Sequence, residues 1–161
     1  MDKLTAMAGR VGGLLKEKKT TVAVAESSAG GLVSAALLAV PGASAYFVGG
    51  GVIYTQGARR GLLGVPEAVA TMRGSTEEYA AIMARAVRDR LGSVWGLCET
   101  GASGPTGNRY GDAAGHVCVA VAGPVERALT VETGSPDREE NMWRFAAAAL
   151  ELLEAALRDA R

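Results

Sequence analysis

The chain has 161 residues, 48% apolar and 21% charged, enough for one well-filled core and too few for two comfortable ones. Lysine plus arginine equals aspartate plus glutamate at 17 each, so the charge balance gives no reason to expect nucleic acid, an anionic membrane or a polycationic partner. No run approaches the roughly 18–20 apolar residues of a membrane span, and Met1–Lys19 is charged and interrupted by glycines, unlike a secretory leader; the expected compartment is the cytoplasm.

Leu4, Met7, Val11, Leu14 and Leu15 share one helical face, which predicts an amphipathic helix over 3–18. Thr20–Ala25 is a β-branched run expected as a buried strand. It stops at Glu26-Ser27-Ser28, and Gly30–Val40 follows as a small-residue helix ended by Pro41-Gly42. Tyr46–Tyr54 predicts a strand with Gly49–Gly51 in its middle, a mark of a bulge or of close approach by another backbone or a ligand. A short helix is expected over Arg59–Leu63 and another from Pro66; Ser75 or Thr76 then caps a helix over Glu77–Leu91 with Ala80, Met83, Val87 and Leu91 inward. Ser93–Thr100 is the next strand, followed by a glycine-rich loop, Gly101–Gly111. Gly115–Ala122 and Ala128–Thr133, joined across Gly123-Pro124, predict an antiparallel pair. Asp137 caps a last helix over Arg138–Arg158 that buries Phe145, Leu150, Leu153 and Leu157. The order α-β-α-β-α-α-β-β-β-α predicts an α/β fold in three layers, α/β/α, around a mixed, mainly five-stranded sheet, as a single domain over residues 1–161.

Chemistry-bearing residues fall at the breaks between these elements. Cys98 and Cys118 sit in apolar runs and read as buried thiols; with His116 the sole histidine and no CxxC, no metal is expected. Glycine, at 22 residues, is about twice its average usage and clusters in the connections, where close backbone approach or positive φ serves ligand sites. Ser27 and Ser28 end the first strand, where open α/β sheets bind ligands against free helix N–H groups. On spacing, a serine there is either a helix cap or a nucleophile with an oxyanion site beside it. Tyr54 to Arg60 presents a phenol and guanidinia, either as a polar strand end or to an anionic ligand. Gly101-Ala-Ser-Gly-Pro-Thr-Gly107 is no Walker motif and is either a structural turn or a nest of N–H groups for a phosphate or carboxylate.

Four stretches in order carry a resemblance: Glu26-Ser-Ser-Ala-Gly-Gly31 after a β-branched strand, Gly42–Tyr54 with its Gly-Gly-Gly-Val-Ile-Tyr ending, Gly101–Gly107, and Ser135-Pro-Asp-Arg138 before the last helix. Together they resemble the C-terminal domain family of the competence/damage-inducible protein CinA over nearly the whole chain. The family's usual wording is ESCTGG, VxYSNxxK, TGIAGPxGG and GDR, and its active members hydrolyse nicotinamide mononucleotide to nicotinic acid mononucleotide and ammonia. The resemblance implies a serine amidase. Ser27 aligns with the nucleophile, and Tyr54 and Arg59 complete the catalytic set. Glu26, Ser28, Gly30 and Gly31 would shape the substrate turn, and Thr100, Gly101, Ser103, Gly104, Pro105 and Arg138 would hold the nucleotide.

Five departures stand out. Arg59 replaces the lysine that partners the serine, and arginine keeps its proton where a desolvated lysine can act as a base. Gln56 and Gly57 replace asparagine and glutamate, Ser28-Ala29 replaces cysteine-threonine, and Pro136 replaces the glycine of GDR. The arginine expected in the last helix falls at Met142, with Arg144 two positions on. Three readings follow: an amidohydrolase, a weakened relative that binds a nucleotide or other small anion, or a scaffold for a partner. No cofactor is implied, and the apolar fraction and the resemblance favour a homo-oligomer.

Overall fold

The structure, a computed structural model, describes residues 2–161. In chain order it contains α1 (Asp2–Glu17), β1 (Val22–Glu26), α2 (Leu32–Leu38), a 3-10 turn (Ala43–Ala45), β2 (Phe47–Val52), α3 (Gln56–Leu63), α4 (Glu67–Ala70), α5 (Glu77–Leu91), β3 (Trp95–Ala102), β4 (His116–Ala122), β5 (Arg127–Glu132) and α6 (Arg138–Asp159). The five strands form one sheet in the order β2-β1-β3-β4-β5. β1 is parallel to both β2 and β3, while β4 and β5 add antiparallel. The α/β class and the mixed sheet between two helical layers are as the sequence predicts.

Strand alternation sorts the core. Val22 and Val24 of β1, Leu97 of β3 and Val117, Val119 and Val121 of β4 face the layer of α1, α2 and α6. Ala23, Ala25, Cys98, Cys118, Ala120 and Ala122 face α5, on the side that also carries α3 and α4. Small side chains on that face let α5 lie close. Gly96 is required there, since a Cβ would fall 1.9 Å from the Ala84 carbonyl oxygen. Both cysteines are free and buried.

Boundaries moved where backbone geometry or a cap intervened. β1 runs on to Glu26. α2 begins only at Leu32, because Gly30 and Gly31 take positive φ (66° and 101°) that no α-helix admits. α3 begins at Gln56 because Thr55 caps it, its hydroxyl accepting from Ala58 N–H. Thr76, not Ser75, caps α5, and Asp137 caps α6. In β2 the pairing with β1 slips by one residue ahead of the glycines, and a Cβ on Gly50 would lie 2.9 Å from the Val24 carbonyl oxygen. Among the described residues no helix is long and apolar enough to cross a membrane.

Candidate active site

The three parallel strands end side by side. Ser27 follows β1, Tyr54 follows β2, and Thr100 and Gly101 close β3, so all lie beyond the carboxyl edge where open sheets place ligands. A cavity of about 390 Å³ opens there, lined by Ser27, Tyr54, Arg59, Thr100 and Gly101, and further by Thr55, Gln56, Gly74, Ser75, Asn108, Arg109 and Tyr110.

The serine turn is held from below by two buried glutamates. Glu26 accepts from the backbone N–H groups of Gly31 (3.1 Å) and Val33 (2.9 Å) on Oε1 and of Ser34 (2.9 Å) on Oε2. It caps α2 from the strand beneath, and its charge sits at the positive end of the helix. Glu99, the same distance along β3 and on the same sheet face, accepts from Ser27 N–H (3.0 Å) and Ala29 N–H (2.8 Å) on Oε2 and from the Ser28 hydroxyl on Oε1. Burial pushes the Glu99 carboxyl above the ordinary carboxylate range. The bonds from Ser28, Ser27 and Ala29 pull against that rise, and the charge of Glu26 adds to it.

These bonds change the expectation for an oxyanion site. The Ser27 and Ala29 N–H groups are already spent on Glu99. In residues 27–34 the Ser28 N–H alone has no acceptor among the described residues. Glu26, Ser28, Gly30 and Gly31 do not line the cavity; they build the turn that presents Ser27 to it. The Ser27 hydroxyl itself has no partner among the described residues.

Arg59 is buried at 9% exposure. Its Nη1 donates to the carbonyls of Ala70 (2.9 Å) and Met72 (2.7 Å), and its guanidinium lies 4.3 Å from the centre of the Tyr79 ring. Burial pushes the Tyr79 hydroxyl upward, against the pull of the Arg59 charge. Among the described residues Nε is buried without a hydrogen-bond partner, and no carboxylate pairs with this guanidinium. Gly74 closes over it: a Cβ there would stand 3.1 Å from Nη2.

The glycine loop is fastened to α6 by its carbonyls. Asn141, fully buried, donates to the carbonyls of Ser103 and Ser135 (both 2.8 Å) and accepts from the Thr133 hydroxyl. Arg138 donates to the Gly104 carbonyl (2.5 Å) and, at 3.4 Å, to the Tyr54 hydroxyl. Gly104 needs to be glycine, with φ 109° and the Pro136 carbonyl oxygen 2.7 Å from any Cβ. Ser103, Gly104, Pro105 and Arg138 therefore stand behind the cavity rim and outside its lining. Met142, at the position of the family's arginine, reaches Gly30, whose Cβ would meet its Cε at 2.9 Å.

The sequence reading does not mark Glu99, Asn141, Asn108 or Tyr110 for the site, and names Ser75 only as a possible helix cap. A signal existed for Glu99, a lone acid inside the apolar run Trp95–Thr100, since an ionisable group on a central strand is buried and must find partners. No local signal marks the others. Among the described residues no cluster of histidine, cysteine, aspartate and glutamate is arranged to hold a metal ion.

Fold and site together define a three-layer α/β domain with a serine-bearing turn at the carboxyl edge of its parallel strands. The chain belongs to the CinA C-terminal domain family, whose model matches residues 4–157. It is 40% identical over 158 residues to a CinA-like protein of Desulfosudis oleivorans, covering 97% of this chain and 38% of that protein. It is 44% identical over 115 residues to a putative competence-damage inducible protein of Desulforamulus reducens, covering 71% and 28%. The chain thus spans well under half the length of the curated relatives it matches. Among solved structures, the competence/damage inducible protein CihA of Agrobacterium tumefaciens is similar, with 29% identity, a TM-score of 0.85 and coverage of 98% and 96%. A CinA superfamily protein of Enterobacter cloacae gives 26% identity, a TM-score of 0.86 and coverage of 96% and 92%.

Proposed function

We propose that the cavity takes a pyridine mononucleotide and that Ser27 attacks the carboxamide of nicotinamide mononucleotide, releasing ammonia and then nicotinic acid mononucleotide. The observation that carries this reading is Ser27 itself. Two buried glutamates fix its turn, its hydroxyl is unengaged, and it faces a polar cavity at the strand ends. Ser28 lies outside the cavity lining, but its N–H, one peptide from Ser27 and without an acceptor among the described residues, is the donor of this turn left for the oxyanion that forms as the carbonyl carbon becomes tetrahedral, the part the amide after the nucleophile plays in other serine hydrolases.

Arg59 supplies fixed positive charge in the lining of the same cavity and no basic nitrogen. The Ser27 proton then passes to water as its oxygen bonds the carbonyl carbon. The amide nitrogen takes a proton from water as the C–N bond breaks and leaves as ammonia, and a further water hydrolyses the ester; without a positioned base this turnover is slow. A second reading, binding without turnover, is favoured by the same residue: a buried guanidinium without a carboxylate partner gains from an anionic ligand.

Ammonia release from nicotinamide mononucleotide by the wild type, abolished in Ser27→Ala, is the expected result. Folded protein giving no ammonia above blank at high concentration overturns the amidase reading for this substrate. Arg59→Lys restores a titratable amine and should raise the rate by roughly tenfold or more. In the binding reading the wild type releases no ammonia, yet its melting temperature rises with nucleotide concentration by mass action.

A further inference from the structure

One wall of the cavity is made by two loops distant in sequence: Gly74-Ser75, ahead of α5, and Asn108–Tyr110, ahead of β4. His116, the first residue of β4, stands between them. Its Nε2 bonds the Ser75 carbonyl at 2.8 Å and its Nδ1 bonds the Glu132 carboxylate of β5 at 2.5 Å. Both partners are acceptors with no proton to give, so satisfying both requires a proton on each ring nitrogen. The two bonds together call for an imidazolium.

The surroundings fit that charge. Asp112 lies 3.8 Å from Nε2 and is tied to the second loop, accepting from the Asn108 side chain (2.7 Å) and from Arg73 (2.5 Å). Asn108 Oδ1 in turn accepts from the backbone N–H groups of Tyr110 and Asp112, and the Arg73 guanidinium lies 5.0 Å from the centre of the Tyr110 ring. On β4, Cys118 places its thiol 3.5 Å from the Ser75 carbonyl and 3.3 Å from the Thr130 hydroxyl, which donates to Glu77 of α5. The titratable groups around the ring are thus Glu132, Asp112 and the Cys118 thiol, 3.7 Å from Nε2, with Arg73 beyond Asp112 and Glu77 beyond Thr130. Burial works against the charged ring, but the Glu132 and Ser75 bonds and the charges of Asp112 and Glu132 outweigh it, and the ring's titration moves above its ordinary value.

Ser75 needs such a hold. It takes a left-handed φ of 56°, unusual for a residue with a Cβ. Its N–H is bound to the Thr100 hydroxyl (3.1 Å) and its carbonyl to His116, so the peptide is gripped at both ends.

We propose that His116, protonated on both nitrogens, is a positioning strut for the Ser75 and Asn108–Tyr110 wall of the cavity, and that loss of its proton slackens the wall and weakens ligand binding. The proton left on the neutral ring stays on Nδ1, because the Glu132 carboxylate is a stronger acceptor than a carbonyl. Nε2 then turns a lone pair on the Ser75 carbonyl, and the attraction to Asp112 is lost. The consequence for ligand rests on the cavity being the nucleotide site; the strut itself does not.

Two measurements separate these. Nitrogen-15 NMR of the full chain should show the His116 ring titrating above the ordinary histidine value, with both nitrogens protonated below its midpoint. The amide signals of Gly74, Ser75, Asn108 and Tyr110 should move with the same midpoint as the ring. Nicotinamide mononucleotide should bind roughly tenfold more weakly above that midpoint than below it, although its own phosphate gains charge as pH rises. In Glu132→Gln the carboxylate is gone, so the neutral ring keeps its proton on Nε2 and its bond to Ser75. The ring's midpoint then falls while the wall amides stop following pH. A His116 ring that titrates no higher than an ordinary histidine, or wall amides that ignore its titration in the wild type, overturns the proposal. Ring and wall titrating together, with no nucleotide bound at any pH, upholds the strut and overturns the nucleotide reading.

Discussion

Glu26 and Glu99 sit at corresponding places on neighbouring parallel strands, equally buried at 1% exposure, and both bind the turn that carries Ser27. They differ in what they meet. Glu26 faces backbone N–H groups alone, donors that cannot reverse, at the positive end of a helix. Glu99 faces two N–H groups and one hydroxyl, and a hydroxyl can donate or accept. One site demands a carboxylate on both oxygens. The other tolerates a neutral group on the oxygen that meets Ser28, in keeping with the upward push of burial on Glu99.

Replacement by glutamine is the sharpest way to break this comparison. In Glu26→Gln the amide group must oppose an N–H donor, and the helix end loses a charge. We expect a loss of about 2–3 kcal/mol in urea unfolding and, on the proposed amidase reading, slower ammonia release because α2 no longer anchors the turn. Ser28→Ala, which strips the hydroxyl from Glu99 and leaves that oxygen bare, should cost about 1–2 kcal/mol at neutral pH. Glu99→Gln should change stability least, by under about 1 kcal/mol in either direction, because its amide group can donate to Ser28 while its oxygen keeps both N–H bonds. Combining Ser28→Ala with Glu99→Gln should give a non-additive sum, since the residues are direct partners. Equal losses in the two glutamine variants would erase the distinction between the two carboxylates.

The smallest effect is in pH. An unfolded glutamate titrates near 4.3, whereas burial raises Glu99 in the fold, so the folded chain keeps this proton to higher pH. The contribution of Glu99 to stability is therefore fully present below about 4.3 and is lost as pH rises through the raised folded value. Unfolding measured from pH 4 to 8 should show this decline in the wild type and not in Glu99→Gln. A slope unchanged by the substitution would mean that Glu99 is not the group responsible.

Much of the architecture was legible before any coordinates. Strand alternation in Val22–Ala25 and Val117–Ala122 places valines towards one layer and alanines and cysteines towards the other, and Asp137 caps the last helix as its position predicts. Errors fell at element ends. There Gly30 and Gly31 delay α2, and Thr55 advances α3, through backbone angles and single capping bonds that hydrophobic periodicity does not encode.

The chain by itself determined the order of elements, the two faces of the sheet and the presence of a serine turn after β1, because these follow from local period, capping and glycine. Tertiary structure decided which distant groups meet that turn. Strand order sets β3 beside β1, which brings Glu99 under Ser27 and consumes the N–H groups that proximity in sequence had offered to an oxyanion. It also sets His116 against Ser75 and leaves Arg59 buried between carbonyls and a tyrosine ring. Such contacts span tens of residues, and hydrogen-bond satisfaction in a buried site is a property of the assembled neighbours, which no local pattern records.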